Sequence, residues 1–222
     1  MKINTSSKRE RLILEEKINA VTHFAGILLS IAATVLMIVK ASYHGSAISI
    51  VSAAVFGASL IMLYTASTLY HSATNIRRKY KLNKFDHSAI YILIAGTYTP
   101  FSIVLLQGGW GWSIFGVQWG LAIIGSLYKI FWYKPKYRAI SAFAYIAMGL
   151  VIVVAAKPLA ETISEECFIW LAIGGLSYIV GVFFYLNKKI PFGHGIFHLF
   201  IIGGSFAHFW AIYNYVLPNL TL

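Results

Sequence analysis

Two histidines, His194 and His198, stand one helical turn apart where the last apolar segment of the sequence begins. On an α-helix, residues four positions apart project from one face with their Cβ atoms roughly 5 to 6 Å apart, so both imidazoles can bind one metal ion. Such an ion still needs a further protein ligand. The sequence offers few candidates, because its 222 residues include 7 histidines and 7 acidic residues, and Asp86 is its only aspartate.

Three more polar residues stand near the ends of neighbouring apolar runs. Ser67 precedes His71 by four positions, so on a helix both side chains share one face. Asp86 follows a basic stretch that we predict to be a short loop between two spans. These residue types suggest a metal bound by His71, His194 and His198, with Asp86 and Ser67 acting on a water molecule or a substrate oxygen.

Composition places the chain in a lipid bilayer. Hydrophobic residues make up 59% of the sequence and charged residues only 11%, and the mean hydropathy is +0.72. A soluble domain of 24.7 kDa could not bury that much apolar surface. We therefore predict an all-α integral membrane protein, and the composition excludes a soluble enzyme.

Seven apolar runs are each long enough to cross the ~30 Å hydrocarbon core of a bilayer. They predict a seven-helix transmembrane bundle over residues 20–217, with a cytoplasmic segment 1–19 before it and an external tail 218–222 after it. The predicted spans are about 20–41, 47–71, 87–107, 110–132, 139–157, 166–186 and 193–216.

Lysine and arginine alternate from loop to loop. They are dense in the N-terminal tail and in the loops after the second, fourth and sixth spans, and nearly absent from the other loops. The positive-inside rule then predicts a cytoplasmic N-terminus and an external C-terminus. We interpret the net charge of +11 as this orienting signal rather than as nucleic-acid binding, and we expect contacts with anionic lipids of the inner leaflet.

This orientation brings the candidate residues to one depth. The second span ends at His71, the third begins beside Asp86 and the seventh begins near His194, all in the cytoplasmic leaflet. We therefore predict a three-histidine metal site near the cytoplasmic face. The alternatives are interfacial histidines that bond to the backbone or to lipid headgroups, and an Asp86 that caps the third helix.

The remaining histidines are weaker candidates. His23 opens the first span on the same side and is the less favoured choice for a ligand. His44 is predicted in an outer loop, and His87 directly follows the aspartate. His208 lies ten residues beyond His198, on another face and at a different depth. We leave these last three out of the site.

Four sequence motifs carry a resemblance to a known family. They are EEKINAVTH from Glu15 to His23, Ser67-x3-His71 at the end of the second span, FDHSAIYILIAGTYTP from Phe85 to Pro100, and HGIFH from His194 to His198. On these marks the chain resembles bacterial hemolysin III proteins, which belong to the progestin and adipoQ receptor (PAQR) family that includes the adiponectin receptors. The resemblance covers nearly the whole chain.

The resemblance implies seven helices, a cytoplasmic N-terminus and a bound zinc ion. The three histidines of the family's zinc site match His71, His194 and His198. Asp86 matches the carboxylate that holds the zinc-bound water, and Ser67 matches the serine of the same motif. The wider superfamily includes alkaline ceramidases and looks like membrane hydrolases that act on lipid amides.

We therefore expect a zinc-dependent hydrolase of ceramide-like lipid amides, which enter from the inner leaflet of a bacterial plasma membrane, with a role in membrane lipid homeostasis. Three imidazoles leave a tetrahedral zinc one open position, as in catalytic sites. Two alternatives stay open. One is a lipid-responsive receptor or regulator with structural zinc, and the other is a cytolytic pore former, which the lack of a long polar stripe disfavours.

Overall fold

The structure, a computed structural model, describes residues 5–44, 46–134 and 137–217. Within these ranges every regular element is a helix. The α-helices are α1 Thr5–His44, α2 Ala47–Ser72, α3 Ile76–Pro100, α4 Gly108–Phe131, α5 Arg138–Gly149, α6 Ala156–Ala160, α7 Glu165–Leu186 and α8 Gly193–Ala211.

Seven helical segments in the described part of the chain are long and apolar enough to cross a membrane. The fifth consists of α5, a 3-10 segment Val151–Ala155 and α6. Two π-helical segments, Phe101–Leu106 and Ile212–Val216, continue α3 and α8. The predicted all-α fold with seven membrane-spanning helices is confirmed. The candidate spans are Arg9–Tyr43, Ala47–Ser72, Ile76–Leu106, Gly108–Phe131, Arg138–Ala160, Glu165–Leu186 and Gly193–Val216.

Helix α1 begins well before the predicted first span. Most of segment 1–19 is helical, because it contains no glycine or proline and an ion pair of 3.2 Å between Arg11 and Glu15 joins successive turns. Hydropathy marks where a helix becomes apolar and not where it starts. The predicted tail 218–222 lies outside the described residues.

Helix α3 likewise begins earlier, at Ile76, where the side chain of Asn75 accepts hydrogen bonds from the backbone of Arg77 and Arg78. The basic stretch before Asp86 is therefore helical, and the prediction of a loop there was wrong. The alternative in which Asp86 caps the third helix is also wrong, because Asp86 lies in the helix interior.

The helices pack as a closed bundle. Helix α1 contacts α2 and α8, α2 contacts α3, α3 contacts α4, and α7 contacts α8, while α5 packs against α3 and α7. Phe56, Leu60 and Tyr64 of α2 lie in the largest buried cluster. Apolar side chains such as Ile124, which is 66% exposed, cover the outside. This distribution suits contact with lipid, where apolar residues can face outward without cost.

Glycines set the closest helix contacts. A Cβ atom at Gly125 of α4 would lie 2.5 Å from the ring of Tyr91 in α3. The pair Gly116 and Gly120 on the same helix has no other atom within 4 Å of such a position. Two glycines four residues apart often allow two helices to approach closely, but this pair does not pack against another helix in the described part of the chain.

We predict that Gly125→Ala destabilises the bundle by about 1 to 3 kcal/mol, because the new methyl group overlaps the Tyr91 ring. Gly120→Ala is the matched control on the same helix and should be neutral or slightly stabilising. Thermal unfolding of both variants in detergent tests the difference. Equal midpoints would contradict the close contact between α3 and α4.

We also predict that the connection between α2 and α3 faces the cytoplasm and the end of α6 faces outward, since the basic residues cluster near the former. The native sequence contains one cysteine, Cys167, which is first replaced by serine. In that background an impermeant maleimide should label Thr162→Cys in intact cells, but Lys81→Cys only after permeabilisation. Both positions are exposed. The reverse labelling pattern would overturn the orientation.

Candidate metal centre

Three imidazoles meet where α2 ends and α8 begins. The ring centroid of His71 lies 4.9 Å from that of His194 and 5.1 Å from that of His198, and the last two are 4.7 Å apart. Each ring offers a nitrogen within 4.8 Å of the other two. The structure thus brings together the three histidines predicted from the sequence, close enough to bind a metal ion.

One ring nitrogen of His71, Nδ1, is hydrogen-bonded to a carboxylate. Nδ1 lies 3.0 Å from Oε2 of Glu16, and Lys79 contacts the same oxygen at 2.6 Å. A carboxylate can only accept a hydrogen bond, so Nδ1 donates and Nε2 keeps its lone pair. Nε2 is buried without a hydrogen-bond partner. A bound cation would satisfy this nitrogen, and this is the arrangement common to metal-binding histidines.

His198 is oriented in the same way from α1. Its Nδ1 lies 3.2 Å from the carbonyl oxygen of Asn19 and 3.2 Å from the hydroxyl of Thr22. The carbonyl can only accept, so Nδ1 donates to it and Nε2 is the nitrogen free to bind a metal. The donor set and its outer partners therefore fit a cation that prefers imidazole, such as zinc.

Helix α1 supplies these outer partners, which the sequence analysis missed. Glu16, Asn19 and Thr22 face His71 and His198, and the neighbouring Glu15 accepts a hydrogen bond of 3.3 Å from the backbone of Phe192, just before α8. The available signal was the spacing of polar residues along one face of an otherwise apolar helix.

Asp86 and Ser67 lie beside the cluster. Ser67 is buried one turn before His71 on α2, and its side chain is hydrogen-bonded to Asp86 of α3. Both residues line a cavity together with His194 and His198. The five predicted site residues therefore occupy one region of the bundle.

His23, which the sequence analysis gave as a less favoured ligand, lies directly beside the histidine cluster. Its ring stacks on His198 with centroids 3.5 Å apart, and neither nitrogen has a hydrogen-bond partner. Among the described residues, however, the group with mutually close ligand atoms contains only His71, His194 and His198. His23 therefore packs against a candidate ligand and lies outside that group.

Of the three histidines left out of the site, His87 has conventional partners. Its Nδ1 lies 2.7 Å from the carbonyl oxygen of Asn83, and its Nε2 lies 3.2 Å from the hydroxyl of Tyr185. His208 lies apart from the cluster but on the wall of the same cavity. His44 is the last residue of α1 rather than a loop residue.

Lys129 is a buried cation that sequence reasoning missed. Its side chain is 0% exposed, its Nζ lies 3.7 Å above the ring of Tyr133, and it has no hydrogen-bond partner. Its charge acts on Asp86. In the sequence, a lysine near the end of an apolar run looks like an ordinary interfacial residue, so no local signal distinguished it.

The cavity extends from the candidate centre through the bundle. It has a volume of about 520 Å³, and its wall is almost entirely apolar. Tyr185 and Phe168 of α7 both line it, which corresponds to about 26 Å along that helix at 1.5 Å per residue. The length and volume of the space are sufficient to hold a hydrocarbon chain.

Comparison of the whole chain with known proteins finds one matching family and several similar proteins. Residues 12–209 match the family described as "Haemolysin-III related". "Hemolysin-3" of Bacillus cereus is 44% identical over 96% of this chain and 97% of its own, and "Hemolysin-3 homolog" of Bacillus subtilis (strain 168) is 47% identical over 91% and 95%. The human "Monocyte to macrophage differentiation factor" is 30% identical over 77% of this chain and 73% of its own.

We predict that the histidine cluster binds a divalent metal ion and that Glu16→Ala weakens this binding about 10- to 100-fold, because His71 loses the acceptor that orients its ring. Glu16→Gln keeps an oxygen acceptor and should have a smaller effect. Glu10→Ala, which removes an exposed carboxylate from the same helix, is the control. Competition with a chelator of known affinity measures each loss, and unchanged affinity in Glu16→Ala would refute the assigned contact.

Proposed function

This chain belongs to the haemolysin III family of multi-pass membrane proteins, and on that premise we propose that it is a zinc-dependent hydrolase of lipid amides. The observation that supports the proposal is the position of the histidine cluster at one end of a long apolar cavity, next to a carboxylate. The substrate class would be ceramide-like lipids taken from the inner leaflet. A bacterial plasma membrane is the expected location, and lipid homeostasis the expected role.

Zinc would be held by His71, His194 and His198, each of which offers a ring nitrogen within 4.8 Å of the other two. A bound zinc ion supplies Lewis acidity, which polarises a carbonyl group and makes water a better nucleophile near neutral pH. The protein contributes the fixed ring orientations. Glu16 and the Asn19 carbonyl hold Nδ1 of two rings, so these rings do not need to reorganise when the metal binds.

Asp86 would act as the general base. Its carboxylate accepts a proton from the attacking water, the water oxygen forms a bond to the amide carbon, and the carbon–nitrogen bond breaks as the same proton passes to the leaving nitrogen. Ser67 hydrogen-bonds to the carboxylate and limits its rotation. Lys129 would act electrostatically on Asp86, and it does not line the cavity.

The cavity supports a lipid with a long acyl chain. An apolar wall favours hydrocarbon over water, and the burial of each methylene group contributes about 0.8 kcal/mol. The chain would lie between α3, α5, α7 and α8, with its carbonyl group next to His194 and Asp86. This placement puts the scissile bond at the polar end and leaves the rest of the lipid in apolar surroundings.

A second candidate is a lipid-responsive regulator in which the metal only ties α2 to α8. The position of His71 on one helix and of His194 and His198 on another favours this reading, because a shared ion would restrain both helix ends. A cytolytic pore is less well supported, since a water-filled pore needs a polar wall and this cavity is apolar.

We predict that Asp86→Asn keeps the metal but lowers lipid amide hydrolysis at least about 100-fold, because the base is lost and the ligands stay. His194→Ala should lose the metal and the activity together. Glu161→Gln removes an exposed carboxylate and is the control. Metal content is measured by elemental analysis, and product release from ceramide by mass spectrometry.

Two results would separate the candidates. No product from metal-loaded wild-type protein, combined with a metal-dependent change in stability on adding lipid, would favour the regulator over the hydrolase. Full activity in protein stripped of metal would refute the zinc-dependent mechanism itself.

A further inference from the structure

Several polar side chains interrupt the apolar wall of the cavity, and two of them, far from the candidate centre, contact each other. Tyr178 of α7 and His208 of α8 both line the cavity, and their rings contact each other with centroids 5.3 Å apart. Polar groups inside a membrane bundle are costly and usually mark a ligand path. The mechanism proposed above uses neither residue.

Tyr178 belongs to a buried hydrogen-bond network. The hydroxyl of Tyr64 donates to Ser205 at 2.8 Å, and the hydroxyls of Ser205 and Tyr178 are 3.0 Å apart. Because Ser205 accepts from Tyr64, it can donate to Tyr178. With Ser205 as the donor in this contact, the Tyr178 hydroxyl keeps its own proton to donate to a ligand.

His208 has unused hydrogen-bonding capacity. Its side chain is 5% exposed, and Nδ1 is buried without a partner. The ring fits tightly against Gly174 of α7, where a Cβ atom would lie 2.6 Å from it, so the imidazole is fixed in place. A buried imidazole nitrogen without a partner is unfavourable, because one hydrogen bond is left unmade.

The distance from the candidate centre sets where a ligand would meet these groups. His208 follows His198 by ten residues on α8, which corresponds to about 15 Å along the helix. An extended hydrocarbon advances about 1.3 Å per carbon, since each bond of about 1.5 Å is inclined to the chain axis. A carbonyl group held at the histidine cluster therefore places about the twelfth carbon beside His208.

We propose that His208 and Tyr178 form a subsite for a hydroxyl group carried near the middle of the acyl chain. This inference rests on the proposed function, because it takes the cavity to be the acyl-chain site. A hydroxyl group matches the site chemically, since it donates one hydrogen bond and accepts others, as neutral imidazole and tyrosine do. A charged group would not, because no counter-charge lines this part of the cavity among the described residues.

The experiment compares stearate with 12-hydroxystearate on the full, metal-loaded chain in detergent. Displacement of a fluorescent fatty acid should show about five- to tenfold tighter binding of 12-hydroxystearate. His208→Phe should lower affinity for 12-hydroxystearate to that for stearate, while affinity for stearate itself stays the same. 2-Hydroxystearate carries its hydroxyl near the other end and should be insensitive to the substitution.

Ser177→Ala is the matched control on α7. Its hydroxyl bonds to the backbone of Phe200, and the residue does not line the cavity, so the preference for the hydroxylated chain should persist. Equal binding of the two fatty acids, or an unchanged preference in His208→Phe, would overturn the subsite and leave the proposed function intact. Failure of both fatty acids to displace the fluorescent one would overturn the acyl-chain assignment and the subsite with it.

Discussion

The hydrogen bond from Nδ1 of His71 to Glu16 is the contact on which the candidate centre depends. An imidazole can present only one nitrogen to a metal, and the partner of the other nitrogen decides which one. Glu15, the adjacent residue, accepts a hydrogen bond from the backbone just before α8. Two consecutive carboxylates of α1 therefore fix the end of α2 and the start of α8, the two places from which the histidines come.

The lipid environment explains why the polar groups gather as they do. A membrane helix satisfies its own backbone, so its side chains are free to face either lipid or the bundle interior, and ionisable groups are stable only in the interior. Asp86 and Lys129 illustrate this, because each lies inside the bundle and acts electrostatically on the other. The wall of the cavity is mostly apolar and ends at this polar centre.

Element boundaries show where sequence reasoning was limited. The number of spans follows from hydropathy, because crossing a bilayer demands about 20 apolar residues whatever the fold. The starts of α1 and α3 do not follow from hydropathy. Both helices begin with polar turns, at Thr5 and Ile76, that are helical although they lie outside the apolar region. Asp86 consequently lies within a helix and its side chain meets Ser67, although its position before an apolar run suggested a cap.

The sequence by itself determined the membrane class and the seven spans, because hydropathy is a local property that one stretch of chain carries. It also indicated the three histidines, through the spacing of two of them, the depth that the span count predicts for all three and the family motifs. Only the tertiary structure decided which groups surround them. Glu16, Asn19 and Lys129 are distant in sequence from the residues that they contact or act on. The polar spacing along α1 marks a face of that helix but does not show which histidines the face meets, and no local signal marks Lys129 as buried. Their roles arise from the packing of α1 and α4 against the other helices, which no short segment encodes.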